Sequence, residues 1–160
     1  MHSALRGAAR VAAIIRIIAD IRGDGVDRAG IQEQAEEFVA YYQDDTGSAL
    51  DYSEAGIGQM DAFLEGLHQK RVDPADVADL VIGVACYVGE VIRRNLGGAW
   101  ADDGDAAARG GMVFNPSIVV GSLPIRPVDA VCNRIKTGEA ESLSGCYASL
   151  ARRATERSST

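Results

Sequence analysis

The 160-residue chain has little of what most enzyme chemistry requires. It carries two histidines, three cysteines and one tryptophan, and its only lysines are Lys70 and Lys136. No phosphate-cradling P-loop and no GxGxxG turn following a strand is present. The GxSxG elbow that would support a serine nucleophile is also missing. Cys86, Cys132 and Cys146 are widely spaced and form no CxxC pair, which argues against a zinc or dithiol site. All three fall in apolar helical patterns and read as small buried hydrophobes in a reducing compartment. A Cys–His nucleophile would need Cys86 beside His68, because His2 belongs to the terminal arm. The acidic turns DDTGS (44–48) and DDGD (102–105) both lack the glutamate that closes a calcium loop. Neither a metal nor a cofactor is expected.

Long apolar runs are scarce too. The basic start HSALRGAARVAAIIRIIADIR is broken by Arg16 and Asp20, and its longest uncharged piece, VAAII, is too short for a signal-peptide core. Nothing is long enough to span a membrane, and a cytoplasmic protein is expected. Aromatic residues make up 6% of the chain, so Val, Ile, Leu and Ala must supply most of the core. The net charge of −7 argues against general nucleic-acid binding, which needs a basic surface to displace counterions. It suits a basic protein partner. The strong preference for arginine over lysine, with abundant Ala, Gly, Asp and Val, points to a GC-rich bacterial genome.

What is present is an ordinary globular balance, 47% hydrophobic and 24% charged, in a length that fits one domain. Residues 4–21 read as a helix: Leu5, Ala8, Val11, Ala12, Ile15, Ile18 and Ala19 follow helical spacing, with Arg6, Arg10 and Arg16 elsewhere. Ile14, Ile17 and Ile21 widen its apolar surface, so a homodimer through this first helix is expected. RGDGVDRAG (22–30) is a turn-rich linker, making 1–30 an arm and 31–153 a single domain with a frayed tail at 154–160. Helices are expected at 31–43 and from an N-cap at Ser53 to residue 70, with His68 pointing outward. The best-marked helix runs from Pro74, behind the cap Asp73, to residue 96, and Gly97-Gly98 stops it. Its middle is apolar almost all round, as a central buried helix requires. Trp100, MVFN (112–115) and SIVVG (117–121) are β-prone, and Pro124 and Pro127 bracket a loop. Two further helices follow, at 128–137 and 140–153. The second buries Leu143, Cys146, Tyr147 and Leu150. The fold class is therefore α+β: a mostly helical bundle around the 74–96 helix, with a small antiparallel sheet at about 99–121.

The stretch CYVGEVIRRNLGG (86–98) raises the functional question, because Glu90 is the one charge in the run LVIGVACYVGEVI. One reading pairs Glu90 with Arg94 near the surface, or sets it capping amides of the following sheet. The other makes Glu90 and Tyr87 catalytic, facing a cavity opened by Gly83 and Gly89, with Arg93, Arg94, Trp100 and Asn115 as binding residues. Arg126 and Arg134 are weaker anion-site candidates, with Arg134 expected on the solvated side of its helix.

YVGEVIRRNLGGAW, the short sheet with Asn115-Pro116, and the helix ending RIKTGEAESL resemble uncharacterised domain families represented in actinobacteria. Those families carry a Tyr-x-Gly-Glu helix before a Gly-Gly-x-Trp strand entry. The resemblance covers about residues 83–147 and implies an α+β domain with Tyr87, Gly89, Glu90, Gly97, Gly98 and Trp100 as its signature. It implies no chemistry. Two functions follow from these residues: a non-catalytic interaction module of the adaptor or immunity type with an acidic surface, or a small cofactor-independent enzyme or small-molecule binder built on Glu90 and Tyr87.

Overall fold

In the computed structural model the described residues are 28–101 and 116–158. The first element, α1, spans Arg28–Thr46 and is longer at both ends than the periodicity predicts. It takes in the last residues of the expected linker and the first half of DDTGS. Gly47, at φ 77°, then ends it in the left-handed conformation that glycine adopts without strain. The second helix, α2, is Glu54–Gln69. Ser53 stands at its N-cap without a side-chain capping bond, because its hydroxyl donates to Asp51 instead.

Asp73 accepts from the Ala75 amide at 3.0 Å and opens a 3-10 turn at Pro74–Val77, which feeds α3, Ala78–Leu96. Every residue from Val81 to Ile92 is buried. The all-round apolar sequence is matched by all-round packing: α3 touches α1, α2, the sheet and both C-terminal helices. Gly97, at φ 76°, donates to the Arg93 carbonyl and closes the helix where the sequence predicts.

The sheet is antiparallel, in the order β1 (Ala99–Ala101), β2 (Ser117–Val120), β3 (Leu123–Ile125). Trp100, Ile118 and Ile125 stand opposite one another across the three strands, and the first two are buried. The expected loop around Pro124 is thus a strand. Proline is tolerated there because β3 is an edge, where a missing amide donor costs no ladder bond. MVFN lies outside the described residues, as do the expected first helix and Asn115.

Pro127 opens α4, Pro127–Thr137, which buries Val128, Val131 and Ile135 and leaves Cys132 half-buried. A 3-10 turn at Glu139–Glu141 leads to α5, Leu143–Ser158, so the last helix continues past residue 153 into the expected tail. Leu143, Tyr147 and Leu150 are buried as expected, whereas Cys146 is exposed. The α+β architecture around one central helix stands. Among the described residues, no helix is long and apolar enough to cross a membrane.

Candidate functional site

Glu90 lies on the last buried turn of α3 and is fully buried. Arg93 grips it in bidentate fashion, Nε to Oε2 at 2.7 Å and Nη2 to Oε1 at 3.0 Å. Arg94 Nη2 stands 3.4 Å from Oε1, and Trp100 donates Nε1–H to Oε2 at 3.0 Å. Burial pushes the carboxyl pKa up. The hydrogen bonds from Arg93 and Trp100 and the charges of both arginines outweigh it, and the net value falls below the ordinary 4.5. The expected Glu90–Arg94 pair is present, but its carboxylate is buried rather than near the surface, and Arg93 holds it more closely. The alternative of a cap on strand amides is corrected as well, since the sheet's donor is the Trp100 indole.

The small residues beside Glu90 open no cavity. A methyl group at Gly89 would overlap the six-membered ring of Trp100, and one at Gly83 would meet Phe38 Cδ2 at 2.8 Å. Each glycine is a seat for a ring from another element. Gly56 on α2 plays the same part for the Tyr87 hydroxyl, while Gly58 faces open space.

Tyr87 joins this cluster to the α1–α2 loop. Its hydroxyl accepts the Tyr52 amide at 3.2 Å, and the two rings lie 5.0 Å apart. Burial lifts its pKa to about 12. Tyr52 itself has φ 63°, a region unfavourable to a bulky residue. Three groups hold it there: the Tyr87 hydroxyl, Asn95 donating to its carbonyl at 2.9 Å, and the Arg94 guanidinium 3.7 Å from the ring centroid. Tyr87, Arg94, Glu90, Arg93 and Trp100 are therefore linked in one network, with Tyr52 bridging Tyr87 to Arg94. Tyr52 and Asn95 were not legible, because their contacts join segments 43 residues apart.

A second polar cluster had no expectation behind it. Arg134 is 2% exposed rather than solvated. Its Nε donates to Asp61 Oδ1 at 3.1 Å, its Nη2 to the Asp61 carbonyl at 3.2 Å, and Glu65 Oε2 lies 3.5 Å away. Asp61 Oδ1 also accepts the Leu143 amide and Oδ2 the Ser144 amide, both at 2.8 Å, while Ser142 Oγ donates to Oδ2 at 3.1 Å. A carboxylate on α2 thus caps the N-terminus of α5 and neutralises a buried arginine of α4. His68 is likewise turned inward, donating from Nδ1 to the Ile135 carbonyl at 2.8 Å.

A cavity of about 300 Å³ lies beside the start of α5, lined by Ala130, Ala140, Glu141, Leu143 and Cys146 among others. It contains no member of the Glu90 network. The amides of the first α5 turn are already bonded to Asp61 and Ser142, so they offer no anion site.

The remaining feature is electrostatic. From Ala29 to Gln69 the chain has nine carboxylates and neither lysine nor arginine. Asp61 and Glu65 face Arg134, and the other seven are exposed, five of them on α1. Glu33, Glu36, Glu37 and Asp44 follow the 3–4 spacing of one helix face, opposite the buried stripe of Ile31, Ala35, Phe38 and Tyr42. Comparison with known proteins finds no matching family model, curated relative or solved structure.

Proposed function

We propose that the chain is a non-catalytic interaction module whose acidic α1 face meets a basic protein partner in the cytoplasm. The observation that carries this reading is the segregation of charge. Seven exposed carboxylates crowd one stretch with no cation among them. Such a surface steers a basic partner and repels acidic ones. The alternative, acid–base chemistry at Glu90 and Tyr87, has weaker support. A general base needs a lone pair within reach of its substrate, and both Glu90 oxygens are already bonded to donors of Arg93 and Trp100. A phenol at about 12 is a poor proton donor at neutral pH.

The test is native mass spectrometry of the full chain purified from its source cells, beside the variant Glu33→Gln/Glu36→Gln/Asp45→Asn. A stoichiometric basic protein on the wild type, lost from the variant, is the expected result. A retained small molecule that the variant keeps and Glu90→Gln loses would replace this reading with the second.

A further inference from the structure

We propose that the cavity beside the start of α5 binds a small aliphatic amine, its hydrocarbon tail on Leu143 and its ammonium at Glu141. The site is independent of the interaction reading above, since the residues lining it belong to α4, the 3-10 turn and α5.

A volume of about 300 Å³ stands at the small end of the range for ligand pockets, so the guest is only a few carbons long. The walls are held in place without it. Asp61 accepts the Leu143 and Ser144 amides at 2.8 Å, and the Glu141 amide donates to the Gly138 carbonyl at 3.0 Å. The donor count excludes an anion. Every backbone amide from Glu141 to Cys146 already has an acceptor, in Gly138, Glu139, Asp61 or Ser142. The Ser142 hydroxyl donates in turn to Asp61. A ligand that brings only acceptors finds no partner here, whereas one that brings donors meets a carboxylate.

Charge points the same way. Among the described residues Glu141 is the one charged side chain lining the cavity, and it is exposed. Behind the wall, Arg134 faces two carboxylates, Asp61 and Glu65, which leaves an excess of one negative charge. The Cys146 thiol adds none, because desolvation and then the Glu141 carboxylate hold its pKa above the ordinary 9.0.

Polarity runs from mouth to floor. Leu143 is 3% exposed and forms the floor, while Ala140, Glu141 and Cys146 are exposed around the mouth. A guest that enters tail first matches that order. A lysine side chain arriving from another protein would carry its ammonium inward onto Leu143, where an unpaired charge is costly. Among the described residues no aromatic ring lines the cavity, so a quaternary ammonium has no cage to enter. A primary amine on a short chain fits all three conditions.

The deciding experiment is a ¹H–¹⁵N NMR titration of the full chain with n-butylamine, n-butanol, butyrate and Nα-acetyl-lysine methylamide. n-Butylamine should give saturable shifts centred on the amides of residues 140–146. Its dissociation constant should lie about two- to fivefold below that of n-butanol, the worth of an exposed ion pair. Butyrate should give no saturable shift, and the lysine derivative should bind several-fold more weakly than n-butylamine. In Glu141→Gln the amine should fall to the affinity of the alcohol. In Ala140→Leu, which fills the cavity, both should be lost. Equal affinity for amine and alcohol, or an amine advantage that survives Glu141→Gln, would overturn the proposal. Amine shifts as large at Glu33 and Glu36 as at the cavity would mean unspecific pairing with acidic surface and would overturn it too. A lysine derivative that matches n-butylamine would overturn the assignment to a free amine.

Discussion

At the scale of single residues, two carboxylates hold more structure than their number suggests. Glu90 and Asp61 each collect donors from several elements, and in each the partners' hydrogen bonds and charges exceed the cost of burial. Glu90→Gln keeps the shape but removes the charge, leaving Trp100 Nε1 or a guanidinium nitrogen facing an amide donor. Denaturant unfolding at pH 7 should show a loss of about 2–4 kcal/mol. The pH dependence has a definite sign. A carboxyl whose folded pKa lies below its unfolded value contributes stability above that unfolded value and loses it as pH falls through the folded one. The gap between wild type and Glu90→Gln should therefore be full at pH 7 and close progressively below pH 4.5. A gap that stays constant into acid would mean that the lost stability is packing, not charge. Asp61→Asn should cost about 3 kcal/mol, since Arg134 stays buried with only Glu65 nearby. Amide exchange in α5 should rise before the rest of the molecule opens, because the cap that fixes Leu143 and Ser144 is the group removed.

Among the elements, the glycines of the helices sort into two kinds that sequence alone does not separate. Gly58 and Gly66 on α2 face open space, so alanine there should stabilise by about 0.5–1 kcal/mol through helix propensity. Gly89→Ala should instead lower stability by about 1–3 kcal/mol, because the new methyl meets Trp100 and the indole must leave Glu90. Thermal unfolding of the three variants checks both signs at once. The same contrast marks what was legible. Helix α3 was read closely because its signals are local, with Gly97 at the end and an apolar surface before it; only its start was read early, since Asp73 and Pro74 open the 3-10 turn that leads into it. The α+β class followed from it and from the β-prone residues after Trp100. Arg134, His68 and Cys146 were misplaced for the opposite reason. Their burial is decided by residues about 70 positions away or by the way α5 packs, and periodicity carries no record of a carboxylate waiting on another helix. The Glu90 cluster was half legible: spacing placed Arg93 and Arg94 within reach, but filling by Phe38 and Trp100 turned an expected cavity into packing.

Taken as a whole molecule, the chain tolerates a charge distribution that works against its own stability. Glu33 and Glu36 are like charges three residues apart, an arrangement that costs a helix about 0.2–0.5 kcal/mol. Asp45 sits in the last turn of α1, a turn that holds no basic residue of its own, and the helix dipole there disfavours negative charge by about 0.3–1 kcal/mol. Elsewhere the chain places arginines where the dipole favours them, as at Arg93 and Arg94. A surface that opposes local stability fits the proposed binding role, in which function and stability trade against each other. The variant Glu33→Gln/Glu36→Gln/Asp45→Asn should thus be more stable than wild type by about 0.5–1.5 kcal/mol in low salt. Its advantage should shrink as salt screens the repulsion in the wild type. Urea unfolding of both proteins at low and high ionic strength measures this directly. Greater stability combined with loss of the basic partner would identify the acidic face as held for recognition. A variant less stable than wild type would mean that these carboxylates are engaged in folding the chain, and the face would lose its claim to a partner.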